Sequence, residues 1–170
     1  MTEQLYQLFL ESPVGQLRLI SSKTGLRAVL WPNDLSRVKL PSTCESSSHH
    51  PILRTTSEQI TQYFQGERKE FDVPLDLRGT EFQVATWLSL ANIPYGKTIT
   101  YQQQAHSINR PTATRAVGAA NGRNPISIVL PCHRVIGANG SLTGFAAGIA
   151  TKQFLLQLEG SWGEQTLPLT

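Results

Sequence analysis

Residues 124–135 of the chain read Asn-Pro-Ile-Ser-Ile-Val-Leu-Pro-Cys-His-Arg-Val. Ile126 to Leu130 is a short apolar run typical of a buried strand, and Cys132 and His133 follow just beyond its end. The pattern therefore predicts a thiol and an imidazole at a strand-to-turn corner. An isolated cysteine is usually a small buried hydrophobe, whereas a nearby base can convert a thiol into a nucleophile.

Two short helices are predicted upstream of this corner. Thr100–Gln103 repeats the capping-box pattern of Thr80–Gln83, where an earlier helix is predicted to begin. The turn Asn109–Pro111 separates the helix at Thr100 from the next one, over Thr112–Asn121. This spacing suits a helix-turn-helix, although similar helix pairs occur in proteins that never bind DNA. The second helix is rich in alanine and glycine, with Arg115 as its cation. Such a surface favours either close approach to a narrow groove or tight packing inside the protein.

The first half of the chain has a different pattern. Three strand-like runs separated by turns predict a β meander: Leu5–Leu10, Gln16–Ser21 and Leu26–Trp31. A polar, serine-rich loop is predicted over Asp34–His50.

A helix is predicted to begin at Pro51 and to end near Gly66. An alternating segment over Phe71–Leu75 precedes a linker. We therefore expect an N-terminal α/β domain over residues 1–78 and a mainly helical domain over residues 79–170.

Composition narrows the classes of protein that are possible. The 170 residues carry a formal charge of +3, which permits an anionic partner such as nucleic acid without requiring one. The apolar runs are far shorter than the roughly 18 residues of a membrane span. We expect a protein inside the cell, in the cytoplasm or, in a eukaryote, the nucleus. The two cysteines, Cys44 and Cys132, lack the spacing of a disulfide framework or a zinc site, so neither a metal nor another cofactor is expected.

The motif Pro131–Val135 resembles the acceptor-site signature of the O6-alkylguanine-DNA alkyltransferases. Further matching stretches follow the family's order along nearly the whole chain: Ser12–Gly15 with Leu17 and Leu19, Gly79–Trp87, Ile93–Tyr101, Arg115–Gly118, Asn124–Pro125 and Leu158–Gly160. The resemblance implies a small N-terminal α/β domain of the ribonuclease H-like type. It also implies a winged-helix-like C-terminal domain that contains the helix-turn-helix.

The resemblance also implies a role for each residue of the corner. Cys132 accepts an alkyl group, chiefly methyl, from O6 of guanine or O4 of thymine in DNA, irreversibly and once per molecule. His133 acts as its base through a water molecule, Glu159 orients His133, and Asn124 braces the corner. Tyr101 helps to rotate the nucleotide out of the duplex and donates a proton to the guanine ring.

The implied partner is double-stranded DNA containing O6-alkylguanine, bound by a monomer through the minor groove without sequence specificity. Arg115 resembles the residue that fills the space left by the rotated base, which offsets part of the cost of extrusion. The other implied DNA contacts are Thr112, Thr114, Ala116 and Gly118. The implied substrate pocket is lined by Asn121, Val135, Phe145, Ala146, Ala147 and Gly148.

Two departures from the family's pattern lie in this pocket. Phe145 stands where tyrosine is common, and Ala147 stands where glycine is common. A methyl group added to a packed wall restricts what fits against it, so we expect bulky adducts to be accepted less well than methyl.

Three other classes of protein remain as alternatives. A non-catalytic relative that binds alkylated DNA would typically carry tryptophan at the acceptor position, where this chain has Cys132. A cysteine hydrolase would need an oxyanion hole that the sequence does not identify. A helix-turn-helix transcription factor would need base-reading side chains that the alanine-rich helix lacks.

Overall fold

The chain divides into two compact units, each described here by itself. The computed structural model describes residues 3–32, 34, 40 and 44–162. The first unit comprises Met1–Arg78 with Pro125–Val129, and the second comprises Gly79–Asn124 with Leu130–Thr170. The α/β fold class with a mainly helical second unit is confirmed. Within the described ranges, no helix is long and apolar enough to cross a membrane.

A four-stranded sheet with strand order β3-β2-β1-β4 forms the first unit's frame. Its strands are β1 (Tyr6–Ser12), β2 (Gly15–Ser21), β3 (Leu26–Leu30) and β4 (Glu45–Ser46). The first three strands are antiparallel neighbours, which confirms the meander. The short strand β4 runs parallel to β1 and lies inside the segment predicted as a loop. The rest of that prediction lies partly outside the described residues.

One helix, α1 (Pro51–Phe64), packs against this sheet. It begins at Pro51 as predicted and buries Leu53, Ile60 and Tyr63. The alternating segment that follows forms an isolated bridge between Leu26 and Leu75 rather than a strand of its own.

Residues 125–129 lie with the first unit, whereas the sequence analysis assigned them to the second domain. The reason is a hydrogen bond that the local pattern does not reveal: the Val29 amide donates to the Pro125 carbonyl at 2.9 Å. The segment is also not the regular strand expected over residues 126–130, because Ile128 has a φ of 74°. This positive φ lies in the left-handed region, so the backbone at Ile128 is not extended.

Helices and turns dominate the second unit. Its helices are α2 (Glu81–Ser89), α3 (Tyr101–Ser107), α4 (Thr114–Gly122) and α5 (Ile149–Leu158), with short 3₁₀ turns at Leu90–Asn92 and Cys132–Arg134. The strands β5 (Ile99–Thr100) and β6 (Val135–Ile136) pair in parallel. This pairing places the first residue of α3 close to the turn that contains Cys132.

The helix starts show why some boundaries follow from sequence. Thr80 and Thr100 form complete capping boxes with Gln83 and Gln103, as predicted. In contrast, α4 begins at Thr114 rather than Thr112, and its N-cap residue makes no side-chain hydrogen bond.

The cap of α2 gives a stability prediction. Thr80 Oγ1 accepts from the Gln83 amide at 3.1 Å, so Thr80→Ala should lower the free energy of unfolding by about 1 kcal/mol. Thr80→Ser keeps the hydroxyl and should lose much less. Urea unfolding of both variants checks this, and an equal loss in both would contradict it.

Candidate active site

Cys132 stands at the start of the 3₁₀ turn and is almost completely buried, with 7% of its surface exposed. Its amide donates to the Leu130 carbonyl at 2.9 Å. The same carbonyl accepts from Nδ2 of the fully buried Asn124 at 2.8 Å. Asn124 therefore holds the backbone two residues before the thiol.

His133 is directed at Glu159. Nε2 of His133 lies 2.7 Å from Oε2 of Glu159, and both side chains are completely buried. Arg134 binds the same carboxylate through two nitrogens, with Nε 2.8 Å from Oε1 and Nη2 3.0 Å from Oε2. Arg134 also donates to the Ile93 carbonyl at 2.6 Å. One carboxylate thus fixes two adjacent side chains of the motif.

The charges of this cluster follow from burial and from the shared carboxylate. Burial acts to raise the pKa of Glu159, but hydrogen bonds from His133 and Arg134 outweigh it and bring the pKa to about 2. Burial lowers the pKa of His133 below its usual value, and the nearby Arg134 charge acts in the same direction. At neutral pH the imidazole is therefore neutral, while the carboxylate keeps its charge.

The neutral imidazole has a defined tautomer. Nε2 faces a carboxylate and must carry the proton, which leaves Nδ1 as an acceptor. Nδ1 is buried and has no hydrogen-bond partner among the described residues. His133 can therefore receive a proton at Nδ1.

Lys152 is a functional candidate that the sequence analysis missed. Its side chain is almost fully buried, and Nζ donates to the carbonyls of Val135 at 2.7 Å and Thr143 at 3.0 Å. Nζ also lies 3.5 Å from the hydroxyl of Tyr101. Burial lowers its pKa from 10.5 to about 8, and the charge of Cys132 acts in the opposite direction. An ammonium group here favours a negative charge on the sulfur of Cys132 and on the phenol oxygen of Tyr101.

A spacing signal for Lys152 exists in the sequence. Lys152 and Glu159 are seven residues apart, close to two helical turns, so on a helix they share one face. The helix itself was not predicted, because Gly148 precedes α5 without a side-chain cap.

Tyr101 lies beside this ammonium group. Its hydroxyl donates to the Thr143 carbonyl at 3.3 Å, and its ring lies against Gly118 of α4, where an added Cβ would be 3.9 Å from the ring. Burial raises the pKa of Tyr101 above its usual value. The hydroxyl thus stays protonated and can serve as a donor.

Most of the remaining predicted residues fall into two groups. On α4 and just before it, Thr112, Arg115 and Ala116 are exposed, whereas Thr114 and Gly118 are half-buried. In the predicted pocket loop, Phe145 and Ala147 are half-buried, Ala146 and Gly148 are exposed, and the Gly148 amide donates to the Phe145 carbonyl at 2.9 Å.

Asn121 belongs to neither group. It was expected in the substrate pocket, but both amide atoms of its buried side chain are bonded to Gln104 instead. Asn121 therefore contributes to the packing of α4 against α3. The carbonyl of Val135, which was also expected in the pocket, accepts from Lys152.

The fold agrees with the comparisons with known proteins. The family model described as 6-O-methylguanine DNA methyltransferase, ribonuclease-like domain, matches residues 5–77, and the model of the DNA binding domain of the same description matches residues 81–161. The chain belongs to the 6-O-methylguanine DNA methyltransferase family.

Individual relatives give the same assignment. A methylated-DNA--protein-cysteine methyltransferase from Methanosarcina acetivorans is 47% identical over 157 residues, which is 92% of this chain and 99% of the relative. The crystal structure of Mycobacterium tuberculosis OGT in complex with DNA has a TM-score of 0.81 and 43% identity, with 93% of each chain covered. An O6-methylguanine DNA methyltransferase from Methanococcus jannaschii has a TM-score of 0.65 and 25% identity, with 92% of this chain and 95% of that chain covered.

The buried lysine gives a prediction on pH and stability. Between about pH 8 and pH 10.5 the unfolded chain holds a proton on Lys152 that the folded protein has released, so stability should rise with pH in this window. The melting temperature of the wild type relative to Lys152→Met should therefore increase from pH 8 to pH 10. A difference that stays constant or shrinks over this range would contradict the lowered pKa.

Proposed function

We propose that this protein repairs DNA by transferring an alkyl group, chiefly methyl, from O6 of guanine, and also from O4 of thymine, to Cys132. The observation that carries the proposal is the arrangement around the sulfur. The buried thiol of Cys132 is followed by the neutral imidazole of His133, and Nε2 of this imidazole is bound by Glu159. A cysteine that only packs in the core acts as a small hydrophobe and needs no oriented, buried imidazole next to it.

The chemistry assigns a task to each group. The thiol proton passes to Nδ1 of His133 through a water molecule, and Glu159 stabilises the imidazolium that results. The thiolate attacks the alkyl carbon, the carbon–O6 bond breaks, and its electron pair stays on the guanine. Tyr101 donates a proton to the guanine ring as negative charge develops there.

Lys152 supports this step in two ways. Its positive charge near Cys132 stabilises the thiolate, and its contact with the Tyr101 hydroxyl stabilises the phenolate that remains after proton donation. The product on Cys132 is a thioether, which thiols do not reopen as they reopen a disulfide. Each molecule therefore acts once.

Access to the reacting carbon requires that the nucleotide leave the duplex, at a cost of a few kcal/mol. Arg115 is exposed on α4 and takes the place of the extruded base, while Ala116 and Thr112 present small side chains to the minor groove. Binding without base-reading side chains is independent of sequence. The protein acts as a monomer, within the cell compartment that holds DNA.

Stoichiometric transfer is the direct test. Incubation with duplex DNA containing O6-methylguanine should add one methyl group to Cys132, as measured by intact-protein and peptide mass spectrometry. Cys132→Ser should gain none, because serine is a far weaker nucleophile at neutral pH.

Cys44→Ser serves as the matched control and should react as the wild type does. Methylation of the Cys132→Ser variant, or repair of many guanines by one molecule, would overturn the proposal. Binding of the damaged DNA without any transfer would instead favour the non-catalytic alternative.

Ala147 gives a prediction on substrate size. Its side chain is half-buried in the loop that forms the proposed pocket, so Ala147→Gly should remove a methyl group from the wall and raise the rate with benzyl adducts more than the rate with methyl adducts. The ratio of the two single-turnover rates measures this. An unchanged ratio would show that Ala147 does not limit the pocket.

A further inference from the structure

Two amide side chains form a closed pair between α3 and α4. Nε2 of Gln104 donates to Oδ1 of Asn121 at 3.2 Å, and Nδ2 of Asn121 donates to Oε1 of Gln104 at 2.7 Å. Gln104 is fully buried, and Asn121 is 6% exposed. The proposed chemistry uses neither residue.

The pair also contacts a third helix, α2. Nε2 of Gln104 lies 3.2 Å from both the Thr86 carbonyl and the Ser89 hydroxyl of α2. The Trp87 indole donates to the Ala120 carbonyl at 2.7 Å, next to Asn121 on α4. Gln104 and its neighbours therefore connect α2, α3 and α4 by hydrogen bonds.

The same two helices meet again one turn earlier. Tyr101 lies three residues before Gln104 on α3, and Gly118 lies three residues before Asn121 on α4. At this second contact the Tyr101 ring lies against Gly118. A shift of α3 along α4 would therefore move Tyr101 relative to Gly118 and to Arg115, which is on the next turn of α4.

We propose that the Gln104–Asn121 pair is a positioning device that fixes α3 on α4, so that Tyr101 and Arg115 act on the same nucleotide during its extrusion. The inference rests on the proposed function. Both residues are positioning residues, because they act through Tyr101 and Arg115 and do not touch the substrate.

A polar pair serves this purpose better than an apolar one. Two reciprocal amide hydrogen bonds exist in one arrangement of the helices, and a slide of either helix leaves buried polar atoms unpaired. Leucine side chains of similar size would pack in several neighbouring arrangements at little cost, as in coiled coils that lose a register-setting asparagine.

The test separates positioning from stability with a double substitution. Gln104→Leu alone leaves Asn121 buried and unpaired, so its melting temperature should fall by roughly 5 °C. The combined Gln104→Leu/Asn121→Leu variant leaves neither amide and should recover to within about 2 °C of the wild type. A double variant of this stability keeps its fold, so a lower rate of methyl transfer would come from a changed position of α3 on α4.

The decisive readout is the ratio of methyl-transfer rates from duplex DNA and from a short single-stranded oligonucleotide. In the double variant the duplex rate should fall roughly tenfold, because small misplacements are costly in a step that needs two aligned residues. The single-strand rate should fall less than the duplex rate, since that substrate needs no extrusion and depends on Tyr101 only as a proton donor. Gln157→Leu on the exposed surface of α5 is the matched control and should change neither rate.

Each result decides the question. An active wild type with an unchanged ratio in the stable double variant would overturn this inference alone. Absence of transfer by the wild type would overturn the proposed function and this inference with it. If the double variant does not fold, Asn121→Leu replaces it, because Gln104 keeps its contacts to Thr86 and Ser89 in that variant. The duplex rate of Asn121→Leu should fall relative to its single-strand rate, and an unchanged ratio would overturn the inference.

Discussion

The Glu159 carboxylate is the group on which the rest of the site depends. It accepts from both His133 and Arg134 inside the protein, where an unpaired charge would be very costly. Because Arg134 compensates its charge, the carboxylate can orient the imidazole without holding a permanent proton on it. The neutral state of His133 at rest, and so its capacity to accept a proton, follows from this three-residue arrangement rather than from histidine alone.

Lys152 adds a positive charge near Cys132. Its ammonium group is buried but bound by two backbone carbonyls, which makes its burial tolerable. Cys132 therefore has His133 as its neighbour in the chain and a positive charge nearby, and Tyr101 lies beside that charge as a donor. Strands β5 and β6 matter chiefly because their pairing holds the two backbone segments that carry these groups.

Local hydrogen bonds explain which parts of the fold were predictable. The helices α2 and α3 begin where Thr80 and Thr100 form capping boxes, an interaction between residues three apart. Helix α5 has no such signal and was not predicted, and with it Lys152 was missed. The segment over residues 125–129 was assigned to the other domain, since its partner in the first unit, Val29, is remote in sequence.

The sequence by itself determined the family, the meander, the helices α1 to α4 and the placement of a thiol beside an imidazole, because motifs and caps depend on neighbouring residues. Tertiary structure decided what those side chains face. His133 contacts a carboxylate 26 residues away, Lys152 contacts a phenol 51 residues away, and Asn121 pairs with Gln104 on the neighbouring helix. The physical reason is desolvation: once buried, each polar group must find a partner, and packing alone determines which one is within reach.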